Sequence, residues 1–274
     1  MNYVWFFLGA LWYTLGAVLI CGTAVALCRY LFIRMMGQGF GRGVVLATSV
    51  VGTPIHEVGH ALMCLLFGHR ITAMALWQPM SADGNLGYVT HTYRKKNLYH
   101  VLGNLFIAVG PIFSGLAVIT LALRLGFPTA FADYTVSVSD LAATGRGALS
   151  PVREGLEMLP RLVGEMTDSA RAVPLWGQIL ALLVILAVAQ HISLSVDDIK
   201  GGALALPLYA VLILLLTVVC GLLGQSAMDT VTAALRQFSG YMTALFTVVL
   251  VASLLQLVLA LPVWLIRLLT GHGR

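Results

Sequence analysis

Apolar positions run along the chain in long blocks divided by short polar connectors. Six blocks exceed the roughly 18 residues that let a helix cross a bilayer. They cover residues 4–28, 43–67, 98–123, 174–195, 203–223 and 241–266. The first lacks the basic start and small-residue cleavage site of a secretory signal, so it reads as a retained span. Residues 70–97 break the pattern: Ile71 to Trp77 and Leu86 to Tyr93 flank the turn signal Asp83-Gly84-Asn85, which predicts a β-hairpin. Connector 126–173 is the most polar stretch. Its later half spaces Arg153, Glu157, Arg161, Glu165 and Asp168 at helical intervals opposite Leu156, Val163 and Met166. That spacing predicts an amphipathic helix at the membrane interface, kinked or interrupted at Pro160. Connector 225–240 predicts nothing of its own. The expected fold is an all-α polytopic membrane protein with about six transmembrane helices and a small membrane-adjacent β-hairpin. It forms a single integral membrane domain over 1–274, with its core at 43–202, the hairpin connector at 70–97 and the amphipathic connector at 150–173.

Composition strengthens this picture. Of 274 residues, 59% are apolar and 10% charged, with a mean hydropathy of +0.92; soluble domains carry about 25% charged residues. A soluble cytosolic enzyme is excluded. The net charge of +5 is scattered among connectors, which fits phospholipid head groups and no nucleic acid. The cysteines Cys21, Cys28, Cys64 and Cys220 all lie in apolar runs without CxxC spacing, so neither a disulfide framework nor a thiolate metal site is expected.

Ionisable residues at membrane depth are costly and mark functional sites. The second span contains His56-Glu57-Val58-Gly59-His60, and the fourth ends in Gln190 and His191, followed by Asp197 and Asp198. Histidines four apart share one helix face, so both imidazoles reach one metal ion, and Glu57 can act as general base on its water. Zinc suits two neutral imidazoles plus a carboxylate, with a fourth position open. Spans two and four run the same way and carry their polar clusters near the same end, which makes Asp197 or Asp198 the candidate third ligand. Cys64, one turn beyond His60, is a candidate fourth ligand or a small buried hydrophobe.

These residues resemble the site-2 protease family of intramembrane zinc metalloproteases. The HEVGH run resembles its HExGH, Gly110-Pro111 resembles its recurring Gly-Pro, and Asp197-Asp198-Ile199-Lys200-Gly201-Gly202 stands where the family places an Asp-Gly-Gly motif. The resemblance implies one zinc ion held by His56, His60 and an aspartate, with Glu57 as the catalytic base. It also implies cleavage of a partner membrane protein or peptide in or near a transmembrane segment. The chain departs from the pattern by inserting Ile-Lys before the glycines and by lacking an Asn-x-x-Pro lead-in. Asp198 is favoured over Asp197 because it directly precedes the turn. His191 is read as a structural histidine or as a group positioning substrate or oxyanion. The hairpin edge from Leu86 to Tyr93 can hold an unwound substrate by strand addition, or it can merely cap the bundle. Flanking Lys and Arg do not decide orientation; the resemblance implies an active site towards the cytosol, with both termini there. Two other readings stand beside this one. One is a non-proteolytic metal-binding membrane protein, either a transporter or an inactive relative. The other is a prenyl-protein endopeptidase type, whose third ligand would come from Glu154, Glu157 or Glu165.

Overall fold

The computed structural model describes residues 2–78, 85–144, 150–168 and 172–270. The chain begins with α1 (Tyr3–Leu11), a π-helical turn (Trp12–Gly16), α2 (Ala17–Met36) and α3 (Gln38–Leu66). After β1 (Arg70–Ala75) and β2 (Tyr88–Thr92) come α4 (Leu98–Gly126), α5 (Pro128–Thr144), α6 (Ser150–Thr167) and α7 (Leu175–His191). The remainder is α8 (Val196–Ala203), α9 (Leu206–Leu223) and α10 (Gln225–Leu269). The fold is predominantly helical with one small antiparallel sheet.

The helices do not confirm the expected count of about six spans. Among the described residues four are long and apolar enough to cross a membrane, namely Val18–Met36, α4, α9 and α10, and a fifth arises if α7 and α8, bent by 60°, form one broken span. Helix α3 is not among them, because Thr48, Ser49, Thr53, Pro54 and the HExxH residues dilute its apolar character. Connector 225–240 is the start of the 45-residue α10. That helix lies parallel to α2: Arg236 Nε donates to Tyr13 Oη at 3.0 Å near one end, and Arg267 Nη1 donates to the Met35 carbonyl at 3.0 Å near the other. Six strictly alternating crossings would have set the first and last antiparallel.

The main core joins α4, α7 and α10 through Ile119, Phe127, Val188 and Val249, with Val25 of α2. Helices α3 and α4 approach through glycine: a Cβ on Gly59 would lie 2.6 Å from the Gly110 carbonyl carbon, and Ser114 Oγ donates to the Ile55 carbonyl at 2.8 Å. Helix α4 continues through Pro111, so the Gly-Pro pair serves close packing. Gly52 does the same for α7, where a Cβ would meet the Ala187 carbonyl oxygen at 2.6 Å.

Connector 126–173 holds two helices, α5 and α6. Of the kink or interruption expected at Pro160, the interruption is absent, since α6 runs through that residue. Its Leu162 and Met166 pack on the main core, and Glu165 accepts from the Ala130 N–H at 2.9 Å and the Thr129 N–H at 3.3 Å. Glu165 thereby satisfies the open amides at the start of α5. The helix is tied to the bundle by this buried contact.

The hairpin pairs Ala75 with Tyr88 and Arg70 with Thr92, with a bulge between Ile71 and Ala73. The turn signal at Asp83-Gly84 lies outside the described residues. Trp77 Nε1 donates to Ser49 Oγ at 2.8 Å, which fastens the segment after β1 to α3.

Candidate metal centre

Helix α3 presents His56 and His60 on one face, with their Nε2 atoms 3.2 Å apart. Asp198 arrives from α8, its Oδ1 3.1 Å from His60 Nε2 and its Oδ2 3.8 Å from His56 Nε2. One ligand atom from each of the three residues falls within 4.8 Å of the other two.

The breaks around this site explain how Asp198 reaches it. Helix α7 ends at His191, the chain bends, and Ser195 caps α8 by accepting from the Asp198 N–H at 3.1 Å. Asp198 Oδ2 accepts from the Ser195 N–H at 2.7 Å in return, a capping box. This fixes the carboxylate and leaves Oδ1 towards the histidines. Asp197 points elsewhere: its side chain is 94% exposed and its Oδ1 is 3.7 Å from Lys200 Nζ. Of the two candidates, Asp198 alone joins the group.

Neighbouring carbonyls set the tautomers. His56 Nδ1 bonds the His191 carbonyl at 2.7 Å, and His60 Nδ1 bonds the Ile107 carbonyl at 2.8 Å. A carbonyl only accepts, so both Nδ1 atoms carry a proton, and in the neutral rings both Nε2 atoms turn a lone pair to the centre. In the neutral rings two lone pairs and a carboxylate oxygen converge, an arrangement relieved by a cation between them or by a proton shared between His60 and Asp198. Imidazoles held by backbone carbonyls are a common outer arrangement of metal ligands, so the donor set fits a divalent ion.

Glu57 is buried beside the histidines and lines a cavity of about 450 Å³ together with His56, His60 and Asp198. The segment leading into β2 closes over it: a Cβ on Gly87 would lie 2.8 Å from both Glu57 Cγ and Thr53 Cγ2. Tyr88, Val89 and His91 continue the lining along β2. Only glycine lets the backbone come this near the carboxylate.

The remaining candidates separate. His191 Nε2 donates to Thr48 Oγ1 at 3.1 Å, while Thr48 gives its own proton to the Val44 carbonyl at 3.0 Å. Thr53 Oγ1 lies 3.4 Å from His191 Nδ1. The ring is thus satisfied on both sides, and the residue serves His56 through its carbonyl. Cys64 is fully buried and stands outside the ligand group. Glu165 caps α5 and Glu157 lies 3.7 Å from Arg161, so neither joins the centre; the Glu154 side chain lies outside the described residues.

Sequence reasoning missed Arg29, which lines the same cavity and donates from Nη1 to Ser193 Oγ at 3.1 Å. It directly follows the first apolar block, yet Leu31-Phe32-Ile33 come after it and α2 continues to Met36. An arginine with apolar chain on both sides was the available signal. Searches of family models, curated proteins and solved structures returned no match to this chain.

Proposed function

We propose that this protein is an intramembrane zinc endopeptidase of site-2 protease type, cutting partner proteins in or near a transmembrane segment. The observation that carries this reading is the convergence of His56, His60 and Asp198 beside the buried Glu57, all facing one cavity. His56, His60 and Asp198 would hold the ion, which when bound polarises a peptide carbonyl and acidifies water. Glu57 takes a proton from the attacking water and delivers it to the departing amine as the C–N bond breaks. The His191 and Ile107 carbonyls hold the two imidazoles by Nδ1 and aim Nε2 at the centre. β2 offers its outer edge, which has no strand partner among the described residues, to a stretch of substrate unwound from its helix. Unwinding is needed because the amides of a membrane helix are already hydrogen-bonded internally.

The test is comparative membrane proteomics of cells carrying wild-type protein or Glu57→Gln, with metal content measured on both purified proteins. The expected result is equal metal content and loss of a cleavage product, with turnover lowered by about 10²- to 10⁴-fold. Undiminished cleavage by Glu57→Gln would reject the base assignment. Identical proteomes with metal bound in both would favour a non-proteolytic metal-binding protein.

A further inference from the structure

Arg29 stands in a position that the peptidase chemistry above does not use. It lies within α2, flanked by Leu27, Cys28, Leu31 and Phe32. A guanidinium at membrane depth is expensive and faces a partner or a polar cavity. Here it faces the cavity of the metal centre, and its recorded bond is the one from Nη1 to Ser193 Oγ. Among the described residues no carboxylate lies within ion-pair distance of it. Asp198, which lines the same cavity, already gives Oδ2 to the Ser195 N–H and turns Oδ1 to His60. Guanidinium carries five N–H donors in a planar fork, so most of its capacity is left towards the cavity. The other carboxylates that line the cavity are Glu57 and Asp197, and Asp197 is a solvated side chain, 94% exposed and 3.7 Å from Lys200. Arg29 is thus left as a cation that faces the cavity with donors for an anion.

We propose that Arg29 anchors a carboxylate of the peptide substrate, so that the enzyme favours segments bearing a negative charge near the cut. The inference rests on the peptidase reading and names a determinant of its specificity. The planar fork matches a carboxylate through two parallel hydrogen bonds, and Ser193 holds one side of the guanidinium in place. The carboxylate has two sources in a peptide, an Asp or Glu side chain or a free C-terminus.

The experiment uses the full chain in detergent, zinc-loaded, with Glu57→Gln so that probes are not consumed. Four fluorescein-labelled apolar decapeptides are titrated by anisotropy: a central Glu or Gln, each with a free or amidated C-terminus. At least one charged peptide is expected to bind roughly tenfold tighter than its neutral twin, and the pair that shows the preference identifies the source. Arg29→Gln abolishes the preference, whereas Arg29→Lys keeps part of it. Equal binding of charged and neutral twins by the protein with Arg29 intact overturns the proposal, as does binding of none of the four. So does a preference that survives Arg29→Gln. Uniform weakening of all four peptides together with zinc loss in Arg29→Gln, with no preference in its parent, marks Arg29 as a packing residue. Cleavage of the same peptides by the protein with Glu57 intact is scored in parallel. Cleavage without charge preference removes the Arg29 role alone, and charge preference without cleavage removes the peptidase reading alone.

Discussion

His56 and His60 each commit Nδ1 to a carbonyl on a different helix, one from the end of α7 and one from α4. Their aim therefore depends on how α3, α4 and α7 pack. The third ligand depends on a local device instead, the reciprocal bonds of Ser195 and Asp198. Asp198→Ala is expected to weaken metal binding by at least about 100-fold, since even outer partners of ligands are worth 10- to 100-fold. Asp197→Ala should stay within roughly twofold, because that side chain is solvated and its contact with Lys200 is an exposed ion pair. Metal titration of the two purified variants checks both; equal losses would remove Asp198 from the ligand set. The ligand spacing was legible in the sequence because four residues in a helix is a fixed geometry. Which of Asp197 and Asp198 stands beside the histidines follows from which of them pairs with Ser195 across a capping turn. Arg29 was hidden because charge near a span end and charge inside a helix look alike until the helix's length is known.

At the level of elements, the segment leading into β2 reaches the candidate metal centre through Gly87, which lies against Glu57. His69 Nε2 donates to the His100 carbonyl at 2.8 Å, so its Nδ1 accepts a proton from His91 Nδ1 at 3.0 Å. Burial pulls both imidazoles below the usual histidine range, and each is further opposed by the other or by a neighbouring histidine. The folded hairpin thus favours the neutral rings. Its stability is complete above about pH 6.5, the ordinary imidazole value, and drains as pH falls through the lowered folded values. Amide exchange in Arg70–Ala75 and Tyr88–Thr92, corrected for intrinsic rates, should show less protection at pH 5 than at pH 7.5; equal protection would rule out this coupling. The two strands were readable from Ile71 to Trp77 and Leu86 to Tyr93, since β-rich alternation next to a turn signal leaves few other structures. The approach of Gly87 to Glu57 was not, because a glycine's role in packing appears only when its neighbour in space is known. Helix α6 was readable from its charge spacing. Its anchoring through Glu165 depends on where α5 begins, and the sequence offered no sign of α5 as a separate helix.

For the whole molecule, hydropathy located the apolar runs but not how many cross, because the composition of a run does not say which way its helix points. Two parallel helices that both cross a bilayer are separated by an odd number of crossings. If α2 and α10 both cross, the chain passes the membrane an odd number of times from the first to the last. The segment entering α1 and the segment leaving α10 then lie on opposite faces, not together in the cytosol as an even count implies. Single cysteines at Asn2 and Thr270, labelled in intact cells with a thiol reagent that cannot permeate, should therefore give unequal results, one reacting and the other only after lysis. Equal labelling at both would return the count to an even number. The two arginine contacts that align α10 with α2 thus bear on more than packing: where both helices cross, an aligned pair puts the entry to one and the exit from the other on opposite faces of the bilayer.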